Sequence, residues 1–163
     1  MEETSTAAAA GTVTTLMRRE IEVEVAHAYR SVLAERFGEA AAESVSREAV
    51  SRLASSAAAA GRRTHPSPGF QELWEMWQEW AAEGSLEIRL HELGPTRLRF
   101  HVGRCAFAEM YRDLDRTRTG FELSCGRDAP FAAQLIPGVR MERSETILEG
   151  APRCEFIYTL EGP

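Results

Sequence analysis

The feature that most constrains this chain is a change of hydrophobic period at Gly84. Before it, apolar side chains recur every three or four residues, the spacing of one helical face. After it they alternate, the spacing of a half-buried strand. Leu86, Ile88 and Leu90 alternate with Glu87, Arg89 and His91; beyond a Gly94-Pro95 turn, Leu98, Phe100 and Val102 alternate with Arg97, Arg99 and His101. Two such stretches joined by a short turn predict a hairpin. Helices that come first and antiparallel strands that follow define an α+β fold. The sequence predicts N-terminal helices packed on an antiparallel sheet, with short inserted helices, in a single domain.

The first helix is expected from about Thr14, with Ile21, Val25, Ala28, Tyr29, Val32 and Leu33 on its stripe and Phe37-Gly38 closing it. A second runs from Glu39 to Ala60, striped by Ala42, Val45, Ala49 and Leu53, and ends at Gly61. Arg62 to Gly69 reads as a loop, and Ser67-Pro68 opens a third helix with Phe70, Leu73, Trp74, Trp77 and Trp80. Residues 105–114 read as a short helix, 121–125 as either strand or helix, and Asp128-Ala129-Pro130 as the start of another helix. Strands at about 139–149 and 153–160 complete the sheet. Residues 1–13 read as a frayed tail, leaving 14–163 as the domain.

The chain has 163 residues and a formal net charge of −6. An acidic balance excludes general nucleic-acid binding, because no broad face would draw phosphates. No apolar run approaches the ~20 residues of a membrane span. The N-terminus is acidic where a secretion signal needs basic residues, so a cytoplasmic protein is expected. All 19 basic residues are arginine, which reads as a compositional bias of the coding sequence. Three cysteines, an odd number, suit reduced thiols better than a disulfide framework.

Trp74, Trp77 and Trp80 form a packing stripe, and an exposed remainder of it would mark a homodimer face. His27, His65 and His91 carry no expected role. His101 stands at a strand end, three residues before Arg104-Cys105, where it can reach a cleft. Cys105, Cys125 and Cys154 lack the close pairing of a structural zinc site; a metal held with Asp128 and His101 has only weak support, and no metal or cofactor is expected. Cys154 alternates with Phe156 and Tyr158, a packing pattern. Cys105 opens a helix, where the dipole can lower a thiol pKa, and packing is an equal reading.

Cys125 stands in Ser-Cys-Gly-Arg-Asp. Gly126 admits close approach by a ligand, Arg127 can favour the thiolate, and Asp128 can shuttle a proton or anchor a cationic amidine. By residue types alone, Asp128 as the cap of the next helix comes first. Composition and spacing therefore lead to an α+β domain with a candidate thiol site and no further.

The ensemble Val102-Gly103-Arg104-Cys105 with Ala108 and Tyr111, then Cys125 with Asp128, then Arg143-Ser144-Glu145-Thr146-Ile147-Leu148-Glu149-Gly150, and finally Cys154-Glu155-Phe156 resembles the L-2-amino-thiazoline-4-carboxylic acid hydrolase family. The run from Arg18 through Phe37-Gly38 is also similar, so the resemblance spans most of residues 15–160. It implies hydrolytic opening of a cyclic amidine or thiazoline C=N unit in a small-molecule substrate, giving a carbamoyl-cysteine-type product. Under that resemblance Cys125 is the nucleophile and Asp128 the acid/base. Arg143 or Arg127 pairs with a substrate carboxylate; Thr146, Cys105 and Cys154 from the matching stretches, with His101 from its place at the strand end, complete the expected substrate-side set. Thr146 and Glu149, read as strand positions of opposite parity, cannot both reach one cleft.

Two other readings remain. The Gly-x-x-x-Cys-x-Phe ending also resembles 4-vinyl reductase-like small-ligand domains, in which Phe100, Phe156, Tyr158 and Trp77 would line an apolar cavity. A natural-product tailoring enzyme working by acid–base chemistry without a covalent step is the third.

Overall fold

The computed structural model describes residues 13–160. The tail assigned to residues 1–13 lies outside the described residues, apart from Val13. Helix α1 (Thr15–Phe37) begins where Thr14 accepts the amide of Met17 and ends where Gly38 takes φ +86°, a conformation that costs glycine little. Helix α2 (Glu39–Thr64) runs through Gly61 instead of ending there. A Cβ at Gly61 would meet Leu135 and Met76 at 3.2 Å, so this glycine allows close packing and does not stop the helix. Helix α3 (Phe70–Ala82) starts later than Ser67-Pro68 suggests: Gly69 is its N-cap, and its amide donates to Glu72 Oε2 at 2.7 Å.

Most of each stripe on the first two helices faces outward, contrary to expectation; Ala42 is buried as expected and Leu33 is half-buried. Ile21 is 64% and Tyr29 72% exposed, and Val25, Val32, Val45 and Leu53 are also exposed. α1 instead buries Val23 and Arg30, and α2 buries Ala42, Val50, Ala54 and Ala58. Alanines let α2 approach its neighbours closely. Arg30 is tolerated inside because Glu122 meets its Nε at 3.0 Å and Glu39 its Nη2 at 3.0 Å. Periodicity shows that a helix has an apolar face but does not show which face the fold covers.

The sheet has strand order β1 (Leu86–Leu93), β2 (Arg97–Cys105), β4 (Cys154–Leu160), β3 (Val139–Glu142), antiparallel throughout. Phe100 lies opposite Phe156, Leu98 opposite Tyr158 and Val102 opposite Cys154, so one face is continuously apolar. A register shift between Leu90 and Glu92 leaves Leu90 exposed, against its expected inward position. Between β2 and β3 lie α4 (Ala106–Asp113), α5 (Thr117–Leu123), a 3₁₀ turn (Cys125–Arg127) and α6 (Asp128–Leu135), which are the short inserted helices. The α+β architecture is the one the change of period predicts.

The expected strand over 139–149 is cut short at Glu142. Arg143 turns into the interior, and a 3₁₀ turn at Ile147–Glu149 follows, capped by Thr146. The main core joins the sheet to α2, α3 and α6 through residues such as Trp74, Trp77, Phe100 and Leu135. A second cluster, with Val23, Val50, Tyr111 and Leu148, ties α1 and α2 to α4 and α5. Cys105 and Ile147 touch both clusters, which places the site at their seam. Trp74 and Trp77 of the tryptophan stripe are interior, and Trp80 is half-buried. Among the described residues, no helix is long and apolar enough to cross a membrane.

Candidate functional site

A cavity of about 380 Å³ opens at this seam. Cys105 at the end of β2, Cys125 in the 3₁₀ turn and Cys154 at the start of β4 all line it, together with Asp128, Arg127 and Arg143. Six sequence-proposed site residues therefore converge. Cys125 and Asp128 are both half-buried, and both line this hollow.

Two do not join them. His101 lies on the opposite face of the sheet, where strand alternation sends it away from Phe100 and Val102; its Nδ1 is 2.6 Å from Nε2 of His91, and it pairs across β4 with Glu155. The metal set that included His101 cannot assemble through the sheet, and the described residues hold no cluster of three or more His, Cys, Asp or Glu suited to a metal ion. Thr146 is buried and serves the backbone: Oγ1 accepts the Glu149 amide at 3.2 Å and donates to Glu149 Oε2 at 2.8 Å. The parity argument for Thr146 and Glu149 falls with the strand it assumed.

Arg143 organises the polar end. Its side chain is 8% exposed, Nη1 donates to Asp128 Oδ2 at 2.6 Å, and Nη2 donates to the Cys125 carbonyl at 2.9 Å. Its guanidinium also stands 5.2 Å from the centre of the Phe156 ring. Nε is buried and has no partner among the described residues. Asp128 thus spends its carboxylate on Arg143 and does not cap its helix; Arg127 occupies the N-cap position without a side-chain bond.

Burial dominates the ionisation of the site. It raises the Asp128 pKa to about 6, against the pull of Arg143. The Cys125 thiol is pushed well up, first by burial and then by the Asp128 charge, with Arg143 opposing. Arg127, expected to favour the thiolate, is not the cation that matters there. Cys105 rises to about 11 because burial outweighs the Ala108 and Phe107 amides directed at its sulfur, so the helix start does not activate it. Cys154 is raised by burial too, and its sulfur accepts the Ile147 amide at 3.1 Å. All three thiols therefore rest in the neutral form.

Several cavity residues carry no expected role in the sequence. Tyr111 and Ser124 share a 2.6 Å hydroxyl–hydroxyl bond on its wall. The Tyr111 ring fits because residue 120 is glycine: a Cβ there would lie 2.3 Å from the ring. Arg18 and Arg19 reach the cavity from α1, so four arginines face one carboxylate there in a chain that is acidic as a whole. Desolvation lowers the pKa of Arg127, and its side chain makes no ion pair among the described residues. Trp77 and Phe156 line the cavity as the binding-domain reading expected, whereas Phe100 and Tyr158 belong to the core behind it.

The sequence that builds this fold and this thiol–carboxylate–guanidinium cluster matches a described family. The profile of the L-2-amino-thiazoline-4-carboxylic acid hydrolase family covers residues 18–158, and the chain belongs to that family. No curated protein matches it in sequence. Among solved structures it is similar to the phenol-responsive sensory domain of the transcription activator PoxR with phenol, at TM-score 0.56 and 11% identity over 92% of this chain and 76% of that one. It is also similar to a trafficking protein particle complex subunit 3 from Naegleria fowleri covalently bound to palmitic acid, at TM-score 0.55 and 10% identity over 90% and 96% of the two chains. These likenesses concern the fold.

Proposed function

We propose that the chain is a hydrolase that opens a cyclic amidine or thiazoline ring bearing a carboxylate, with Cys125 as nucleophile and Asp128 as its proton partner. The observation that carries this reading is the shared guanidinium of Arg143, which holds Asp128 and the Cys125 backbone at one end of a cationic cavity. Cys125 is a neutral thiol at rest, so its proton must leave as sulfur attacks. Asp128, ionised above about pH 6 and lining the same cavity, is the base we assign to take it. The C–S bond forms at the ring C=N carbon. The proton held by Asp128 then passes to the departing ring atom and the ring opens. Water attacks the same carbon, the thiol departs with its proton restored, and a carbamoyl-type product remains. The guanidinium of Arg127, which makes no ion pair among the described residues, and that of Arg143 supply donors for the substrate carboxylate.

The test is turnover of L-2-amino-thiazoline-4-carboxylate by wild type, Cys125→Ala and Asp128→Asn. Loss of about 10³-fold in each variant, with the fold intact by circular dichroism, supports the reading. Full activity in Cys125→Ala removes the covalent step and leaves acid–base hydrolysis. A second reading, a small-ligand binding module, is favoured by the apolar walls of the cavity. The structural neighbours are described with phenol and with covalent palmitic acid. Absence of any turnover combined with tight ligand binding selects that reading.

A further inference from the structure

The polar cluster occupies only part of the cavity. From Arg143 an unbroken series of rings leads away: Phe156 to Trp77 at 4.8 Å between centroids, Trp77 to Trp80 at 5.3 Å, and Trp80 to Phe131 at 5.5 Å. Met76 and Ala57 continue this wall onto α3 and α2. The successive rings are tilted or edge-on, at 59° to 65°, so they present both faces and edges to the space between them. A lone five-membered ring with its carboxylate, seated at Arg143, would leave this lining facing water. Trp77, Phe131 and Phe156 are nearly buried and Trp80 half-buried, so the little surface they turn to the hollow is apolar, and leaving it in water is unfavourable in proportion to its area.

We infer that the natural substrate is amphipathic: an anionic ring head held at Arg143 and Arg127, joined to an apolar alkyl or aryl arm that lies among Met76, Trp77, Trp80 and Phe131. The inference deepens the hydrolase reading and rests on it for the head group. The arm stands on the ring-lined wall alone. A donor-rich end and a dry end in one cavity select for both parts at once. Carboxylates without an arm forgo the apolar contacts, and hydrocarbons without a charge leave the Nε of Arg143 unpaired.

The experiment measures binding of acetate, butyrate, hexanoate, octanoate, phenylacetate and 4-phenylbutyrate to the full chain. The readouts are calorimetry and intrinsic fluorescence, because Trp77 and Trp80 line the cavity. The dissociation constant is expected to fall about fourfold for each added methylene until the arm meets the far wall. The two phenyl acids show whether aryl or alkyl arms fit better. Octanoate is also expected to slow alkylation of Cys125 by iodoacetamide, which locates it in this cavity. Ala57→Phe, which fills the dry end from α2, is expected to abolish the gain with chain length; Met76→Trp does the same from α3 should the first variant not fold. Equal dissociation constants along the series, or a gain that both folded variants retain, overturns the inference. A flat series leaves hydrolysis of a small ring standing, and an active Cys125→Ala leaves the arm standing, so the two failures are distinguishable.

Discussion

Arg143 donates to the Asp128 carboxylate at 2.6 Å and to the Cys125 carbonyl at 2.9 Å, so a single guanidinium fixes both the acid and the residue that carries the thiol. Removing its fork geometry loosens both. Arg143→Lys retains the charge but not two diverging donors. It is expected to lower kcat/KM for L-2-amino-thiazoline-4-carboxylate by about 10²-fold, and steady-state kinetics on the folded variant check this.

The raised pKa of Asp128 has consequences in opposite directions for activity and for stability. The reaction needs the carboxylate, so kcat/KM is expected to rise with pH through about 6 on a single proton and to level off above it. Stability runs the other way. The folded state holds the Asp128 proton up to about pH 6 while the unfolded chain releases it near its ordinary value of 3.8. This group's contribution therefore falls as pH rises across that window, by up to about 1.4 kcal/mol per unit. Urea denaturation from pH 3.5 to 6.5 is expected to show a slope that Asp128→Asn flattens.

The buried thiol at Cys125 should behave differently from an activated one. In the substrate-free protein its alkylation is expected to be slow at pH 7 and to keep accelerating beyond pH 9, because burial and Asp128 hold the proton on sulfur. Asp128→Asn removes the neighbouring negative charge and is expected to shift that rate profile to lower pH. Iodoacetamide kinetics read by peptide mass spectrometry resolve the three cysteines.

Gly120 is a packing requirement of the site. A methyl group there would sit 2.3 Å from the Tyr111 ring, which is fully buried. Gly120→Ala is expected to destabilise the protein by about 1–3 kcal/mol by overpacking. It should also lower turnover, as Tyr111 and its bond to Ser124 shift on the cavity wall.

His101, by contrast, belongs to the outer face of the sheet beside His91. His101→Ala is expected to leave kcat and KM unchanged within about twofold, and parallel assays with wild type check that placement.

The change of period at Gly84 is enough to place the first three helices, the hairpin and the terminal strand, because strand alternation and helical spacing are local properties of the chain; the helix Thr117–Leu123 carries no such pattern. The inward course of Arg143 was not legible. It goes with an ion pair to Asp128, fifteen positions away, which no local pattern announces. The exposed Ile21 and Tyr29 were misread because an amphipathic stripe does not say what covers it. Convergence of Cys105, Cys125 and Cys154 on one cavity is not legible in the sequence, since three well-separated cysteines carry no spacing signal of their own. Tyr111 appeared in that resemblance without a role; the signal for one was Gly120, a small residue whose partner only the tertiary structure reveals.

The most direct test of the central claim is intact-protein mass spectrometry on enzyme quenched with acid during turnover of L-2-amino-thiazoline-4-carboxylate. The account predicts a substrate-derived mass on wild type that maps to Cys125, accumulates when Asp128→Asn slows release, and is missing from Cys125→Ala. Undiminished turnover by Cys125→Ala, with no adduct on any cysteine of the wild-type enzyme, would contradict it.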